Sequence, residues 1–217
     1  MDQGFPQSAA EPKGRLPVRG MIFDLDGTLI VQTLDFEAIR REIGLVSGTP
    51  LLEALDAMTG PKLARAQEVL LRHEQAAALG AGLNPGVREF LRWLEESDIR
   101  RGLLSRNSRA SIKMVLERCG LHFESIVARE DAPYKPSPQG VWQICQSWRL
   151  SPAEVVMIGD YLYDIQAGKS AGARTILVTH GRTLPFADQA DLLLSGFEEI
   201  PDLLRHWIAG ADGNPRV

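Results

Sequence analysis

The side chains able to do chemistry fall in short clusters along this 217-residue chain. Asp24 and Asp26 flank Leu25 and lead into Gly27 and Thr28; Ser105 precedes Arg106 and Asn107. Lys135 sits in a Tyr-Lys-Pro-Ser-Pro stretch, and Asp160 and Asp164 follow Gly159. Like charges gathered from distant parts of a chain destabilise one another unless a cation or a proton offsets them, so folding alone does not select such a set. A hard cation such as Mg²⁺ takes oxygen ligands from one or two carboxylates together with phosphate and water. Asp24 and Asp160 can supply those oxygens, with Asp164 supporting or joining them. The combination fits phosphoryl transfer to a protein carboxylate. One carboxylate attacks phosphorus, and a second, two residues on, protonates the leaving alcohol and then activates water. That offset lets both face one ligand while the strand stays extended. Lys135, the Ser105 hydroxyl and the loop N–H groups around Gly27, Thr28, Arg106 and Asn107 would stabilise the charge on the transferring group.

The elements that must hold these groups follow from hydrophobic patterning. Dense apolar runs at 18–25, 101–105, 125–128, 155–159 and 175–179, with a shorter one at 191–194, predict strands buried on both faces of a parallel sheet. Amphipathic segments at 87–96, 109–118, 138–148 and 162–171 alternate with them, which argues for a doubly wound α/β sheet. Ligands of such sheets collect at the carboxyl ends of the strands, where the acidic clusters fall. Ser151-Pro152-Ala153-Glu154 combines a capping Ser, a first-position Pro and a Glu three residues on, and predicts a short helical turn before the fourth strand. From 31 to 83 helical spacing replaces the strand pattern: Leu34, Ala38, Ile39 and Ile43, then Leu51, Leu52 and Leu55, then Leu63, Val69, Leu70 and Ala77. This reads as a small helical insertion hinged near Ile30 and Leu83. The expected organisation is a catalytic core at 18–30 and 84–209, a cap at 31–83, and flexible tails at 1–17 and 210–217.

Composition narrows the partners. Hydrophobic residues make up 44 % and charged ones 24 %, enough apolar material for a packed core and against wholesale disorder. A net charge of -4 with no dense basic run argues against nucleic-acid binding. No apolar stretch reaches the roughly 18 residues of a membrane span. Cys119 and Cys145 read as free thiols in a reducing compartment, and the first residues contain no apolar signal core, so the cytoplasm is the expected location.

DLDGT at 24–28, SRN at 105–107, YKPSP around Lys135 and GDYLYD at 159–164 occur in that order. Together they resemble the four motifs of the haloacid dehalogenase (HAD) superfamily, in its phosphoglycolate phosphatase-like branch with a helical cap after the first motif. The resemblance spans roughly 18–179. It implies a Rossmann-like core, Mg²⁺ and an aspartyl-phosphate intermediate. It assigns Asp24 as nucleophile and Asp26 as general acid/base with its backbone carbonyl on the metal. Ser105 and Lys135 would hold phosphate, and Asp160 and Asp164 would serve the metal. Asp26 favours a phosphatase or phosphomutase, since dehalogenases of the superfamily generally lack this residue and its P-type pumps carry Thr there. The implied substrate is a small phosphorylated metabolite, phosphoglycolate- or sugar-phosphate-like. A phosphomutase of the β-phosphoglucomutase kind and a phosphoacceptor signalling module are the rivals; monomer and homodimer stay open.

Two departures from the pattern stand out. Arg106 occupies a position where many relatives put Asn, leaving it either to add phosphate charge or to point to solvent. The cap is shorter than many of this branch. Arg40, Arg41, Lys62 and Arg65 read first as helix-surface charges, with contact to the substrate's non-phosphate end as the alternative. His73 reads as part of a solvated helix face; His122 and His180 lack a metal-ligand partner at helical spacing, which argues against zinc.

Overall fold

The structure, a computed structural model, describes residues 16–198 and 202–209. Six strands, β1 (Gly20–Phe23), β2 (Arg100–Leu104), β3 (Ser125–Val127), β4 (Val155–Gly159), β5 (Arg174–Val178) and β6 (Leu192–Leu194), form one parallel sheet. Their order is β3-β2-β1-β4-β5-β6. The chain winds outward from β1 in both directions, so β1 and β4 flank the point where the order reverses. Crevices form at that switch point, and it is where Asp24 and Asp160 emerge.

Strand alternation splits the core into two layers. Met21, Phe23, Leu103, Val156, Ile158, Ile176 and Val178 face one apolar cluster, while Ile22, Leu104, Val155 and Met157 face the other. The first is covered by α4 (Val87–Glu96), α5 (Arg109–Cys119) and α8 (Asp202–Ala209); the second by α6 (Gln139–Trp148) and α7 (Leu162–Ala171). Phe23 anchors the first layer, edge-on to Phe90 with ring centres 6.2 Å apart. The turn at Pro152–Glu154 carries the complete capping box read from the sequence.

Helices α1 (Phe36–Ile43), α2 (Leu51–Asp56) and α3 (Gly60–Gly80) lie between β1 and α4 and bury a cluster of their own that includes Leu34, Ile39, Leu55 and Val69. The chain leaves and re-enters the core at adjacent points: Ile30 bridges Leu83, and the Val31 N–H donates to the Gly82 carbonyl at 3.0 Å. Asn84 locks this crossing, its Nδ2 donating to the carbonyls of Thr28 at 2.7 Å and Ile30 at 3.1 Å. α3 is more than a cap element, because its end reaches the core: Ala78 belongs to the first apolar layer.

The expected tail at 210–217 and most of that at 1–17 lie outside the described residues. The chain is already held just before β1, for the Leu16 carbonyl accepts from Arg174 at 2.6 Å and Val18 is buried. Among the described residues, no helix is long and apolar enough to cross a membrane.

Asn84→Ala leaves two carbonyls without their buried donor, and lost hydrogen bonds of this kind cost about 2 kcal/mol. The urea midpoint of the variant is expected to fall correspondingly, with the unfolding slope unchanged.

Candidate active site

Parallel pairing carries β1 and β4 to the same height, with Phe23 opposite Ile158, and the Asp24 N–H extends the ladder by donating to the Ile158 carbonyl at 2.8 Å. Asp24 thus projects beside the β4 end that delivers Asp160. Gly27 then turns the chain at φ +77°, a conformation that L side chains rarely adopt. The turn also lies under the Asp160 carboxylate, where a Cβ would come within 2.5 Å of an oxygen. His180 Nε2 donates to the Gly27 carbonyl at 2.7 Å and braces it.

Asp164 is placed by helix capping. Its Oδ2 accepts from the Tyr161 N–H at 3.1 Å at the start of α7, which aims Oδ1 inward to accept from Lys135 Nζ at 2.7 Å. Gly159 leaves room for it, since a Cβ there would meet the Asp164 carboxyl at 2.1 Å. Lys135, from the loop after β3, also donates to Asp24 Oδ1 at 2.5 Å. One ammonium therefore joins carboxylates from two strand ends while itself 2 % exposed. Burial alone would lower its pKa, but Asp164 and Asp24 outweigh burial and hold Lys135 above its ordinary range.

Oxygens of Asp24, Asp160 and Asp164 all lie within 4.8 Å of one another. Burial, then the Asp24 charge, raises the Asp160 pKa despite Arg182, whose Nη2 lies 3.2 Å from Oδ2. Burial raises Asp164 too, opposed by Lys135. Three acids against the Lys135 ammonium and the half-exposed Arg182 still leave excess negative charge in a desolvated place. An all-oxygen donor set of this span fits a hard divalent cation, which binds each oxygen at roughly 2.0–2.6 Å.

Asp26 stands apart from that trio. Asn107 Nδ2 donates to its Oδ2 at 2.6 Å, and burial, followed by the charges of Asp24 and Glu74, pushes it up to about 7. A carboxyl in that range can give and take a proton near neutrality. Ser105 is buried at the β2 end, its Oγ accepting from the Asn107 N–H at 3.1 Å. These groups line one cavity of about 360 Å³ that runs from Asp24 up to the cap.

The remaining expected positions fare differently. Gly27 and Thr28, expected at the phosphate, do not line the cavity: Gly27 packs beneath Asp160, and Thr28 is fully buried. Asn107 lines it, but its side-chain amide is committed to Asp26. Arg106 neither points to solvent nor is free for phosphate. Its guanidinium lies 4.7 Å from the ring centres of both Tyr134 and Tyr163. From that stack Nη2 reaches both oxygens of Glu53 on α2, at 2.8 and 2.9 Å. Tyr134 Oη donates to Asp56 at the end of the same helix. Arg106 is therefore a tie between core and cap.

Arg40 faces the cavity and bonds the Thr49 carbonyl, whereas Arg41, Lys62 and Arg65 are exposed and away from it. His73 pairs with Glu42 at 3.0 Å. Glu74, on α3, had no signal in the sequence, being one acid on a charged helix. It is buried with its side chain only 1 % exposed, paired to Arg129 Nη1 at 2.5 Å and accepting from the Ser108 N–H at 3.3 Å. Tyr134 and Tyr163 were traceable in principle, because they adjoin Lys135 and Asp164.

Fold and site together define a class. Residues 21–178 match the family described as haloacid dehalogenase-like hydrolase, and the chain belongs to that family. A haloacid dehalogenase-like hydrolase domain-containing protein of Arabidopsis thaliana is 34 % identical over 173 residues, covering 74 % of this chain and 71 % of its own. Phosphoglycolate phosphatase of Pseudomonas putida is 29 % identical over 199 residues, covering 77 % of this chain and 71 % of that protein. A solved structure titled as a predicted phosphoglycolate phosphatase from Haemophilus somnus superposes with a TM-score of 0.69 at 20 % identity, covering 88 % of this chain and 99 % of that one. The chain is thus a HAD hydrolase of the phosphoglycolate phosphatase-like branch, with a six-stranded Rossmann-like core.

Arg129→Met strands the Glu74 carboxylate in a buried place. Removing one partner of a buried pair is strongly destabilising, here by about 3 kcal/mol. A drop in the urea midpoint at neutral pH, recovered in the Arg129→Met/Glu74→Leu double variant, is the expected outcome.

Proposed function

We propose that this enzyme is a Mg²⁺-dependent phosphatase that hydrolyses a small phosphomonoester through an aspartyl-phosphate on Asp24. The observation that carries the reading is the joining of Asp24, Asp160 and Asp164 at the strand ends, with Lys135 bridging two of them. Asp24, Asp160 and Asp164 would hold the cation. When bound, it neutralises charge on the phosphoryl oxygens and the acids around them.

The chain's own groups account for the remaining steps. Lys135 pairs with Asp24 Oδ1, which leaves its other carboxylate oxygen to attack phosphorus. Ser105 lines the same cavity as Asp24, and its Oγ would hold a phosphoryl oxygen. Asp26, with its raised pKa, gives its proton to the departing alcohol oxygen as the ester bond breaks. The same carboxylate then takes a proton from water, which attacks phosphorus and releases Asp24 and inorganic phosphate. Asn107 holds Asp26 in place for both transfers. The cavity volume of about 360 Å³ suits a small metabolite of the phosphoglycolate or sugar-phosphate type.

Phosphate release from p-nitrophenyl phosphate tests this directly. Activity is expected with Mg²⁺, to vanish on chelation, and to return when Mg²⁺ is restored. Asp24→Asn is expected to lower kcat by at least ~1,000-fold, as loss of a nucleophile does. Substantial Mg²⁺-dependent turnover in that variant would exclude Asp24 as nucleophile. Hexose 1-phosphate is expected to give free phosphate and no isomer.

A further inference from the structure

Beyond Lys135, the cations lining the cavity are Arg40, Arg106 and Arg129. Each already holds an acid. Arg40 bonds Glu37 at 2.7 Å, Arg106 bonds Glu53 at 2.8 Å, and Arg129 bonds Glu74 at 2.5 Å. Glu53 and Glu74 themselves line the cavity, so Arg106 and Arg129 meet it as closed ion pairs. Its other surfaces come from Leu34, Phe36, Leu51, Leu52 and Leu70, with Gln32 as a neutral polar group.

From this charge balance we infer that the substrate's non-phosphate end carries no second anionic group. The enzyme takes phosphomonoesters of small neutral alcohols, polyols or sugars, and selects against esters bearing a carboxylate or a second phosphate. The inference rests on the phosphatase reading and narrows it, setting this chain apart from a phosphoglycolate-hydrolysing enzyme. A second anion that takes the guanidinium of Arg106 or Arg129 from its glutamate leaves a carboxylate in the same cavity beside the incoming charge. Such an uncompensated acid is costly in a desolvated site, most of all for Glu74, whose side chain is 1 % exposed. Without displacement, Glu53 and Glu74 face the anion as like charges, which is how a site rejects a wrong partner. A neutral alcohol meets neither penalty. Its hydroxyls can bond Gln32 and the outer lone pairs of the glutamates, while its carbon skeleton rests on the leucines.

The test is a comparison of size-matched pairs with the full chain and Mg²⁺: glycerol 1-phosphate against 3-phosphoglycerate, and sorbitol 6-phosphate against 6-phosphogluconate. p-Nitrophenyl phosphate serves as the generic substrate. The neutral member of each pair is expected to be favoured at least ~10-fold in kcat/KM, the scale of one unfavourable charge contact. In Glu53→Gln, which removes one repelling charge and loosens Arg106, the preference is expected to narrow to roughly threefold, chiefly through faster turnover of the carboxylate member. The ratio is internal to each preparation, so partial misfolding of the variant does not disturb it. Equal or better turnover of the carboxylate members by the parent enzyme, with the aryl ester hydrolysed, would overturn the inference and leave the phosphatase reading standing. An unchanged ratio in Glu53→Gln would overturn the role given to that pair. Failure to release phosphate even from the aryl ester would remove the phosphatase reading and the inference with it.

Discussion

A single buried ammonium has to satisfy more carboxylate than it can. Lys135 is withdrawn from water and held between Asp24 and Asp164, while Asp160 adds its charge from the end of β4. Desolvating an ammonium is unfavourable, and its two ion pairs offset that cost only because β1, the loop after β3 and the first turn of α7 converge on one point. The rest of the core serves this convergence. Parallel pairing brings β1 and β4 out side by side, Gly27 and Gly159 remove the atoms that would obstruct the carboxylates, and the α7 cap sets the angle of Asp164. The negative charge left over is the physical basis for both a cation and a phosphoryl group at this place.

The cap is attached to the core in two ways that differ in kind. α3 is joined through buried contacts, with Glu74 beneath Arg129 and against the start of α5, and Ala78 in the main apolar layer. α2 is joined at the cavity mouth by groups that water still reaches, Glu53 on Arg106 and Asp56 on Tyr134. The two attachments therefore differ in how far water reaches them, little at Glu74 on α3 and more at Glu53 on α2. A helical block hinged only at Ile30 and Leu83, as the sequence pattern suggests, overlooks the hold of α3 on α5. In that hold Glu74 accepts from the Ser108 N–H and the Ser111 hydroxyl at the start of α5 while pairing with Arg129, 55 positions along the chain, which no local pattern announces.

The strands and core helices were legible because burial on both sheet faces leaves dense apolar runs, and turn chemistry bounds them. Several predicted ends shift by a residue or two: the first run reads from 18 to 25, while ladder pairing covers only Gly20–Phe23. Apolar content reports burial, and burial extends past the last paired residue, as Leu25 shows. Arg106 marks the same limit at the site. The sequence offered phosphate or solvent, and neither alternative included a stack between Tyr134 and Tyr163, because those rings come from the loop after β3 and the first turn of α7.

By itself, then, the chain's residue order determined the alternating sheet, the helical insertion, and which acids, hydroxyl and lysine could serve phosphoryl transfer. These depend on local spacing, since a strand end, a tight turn and a helix cap are each set within a few residues. Tertiary structure decided which charges neutralise which: Lys135 with two acids, Arg106 with Glu53, Arg129 with Glu74, and Asp26 left to Asn107 with a raised pKa. The energy of a charge depends on what lies within a few ångströms and on how much water remains, and both are properties of the packed chain.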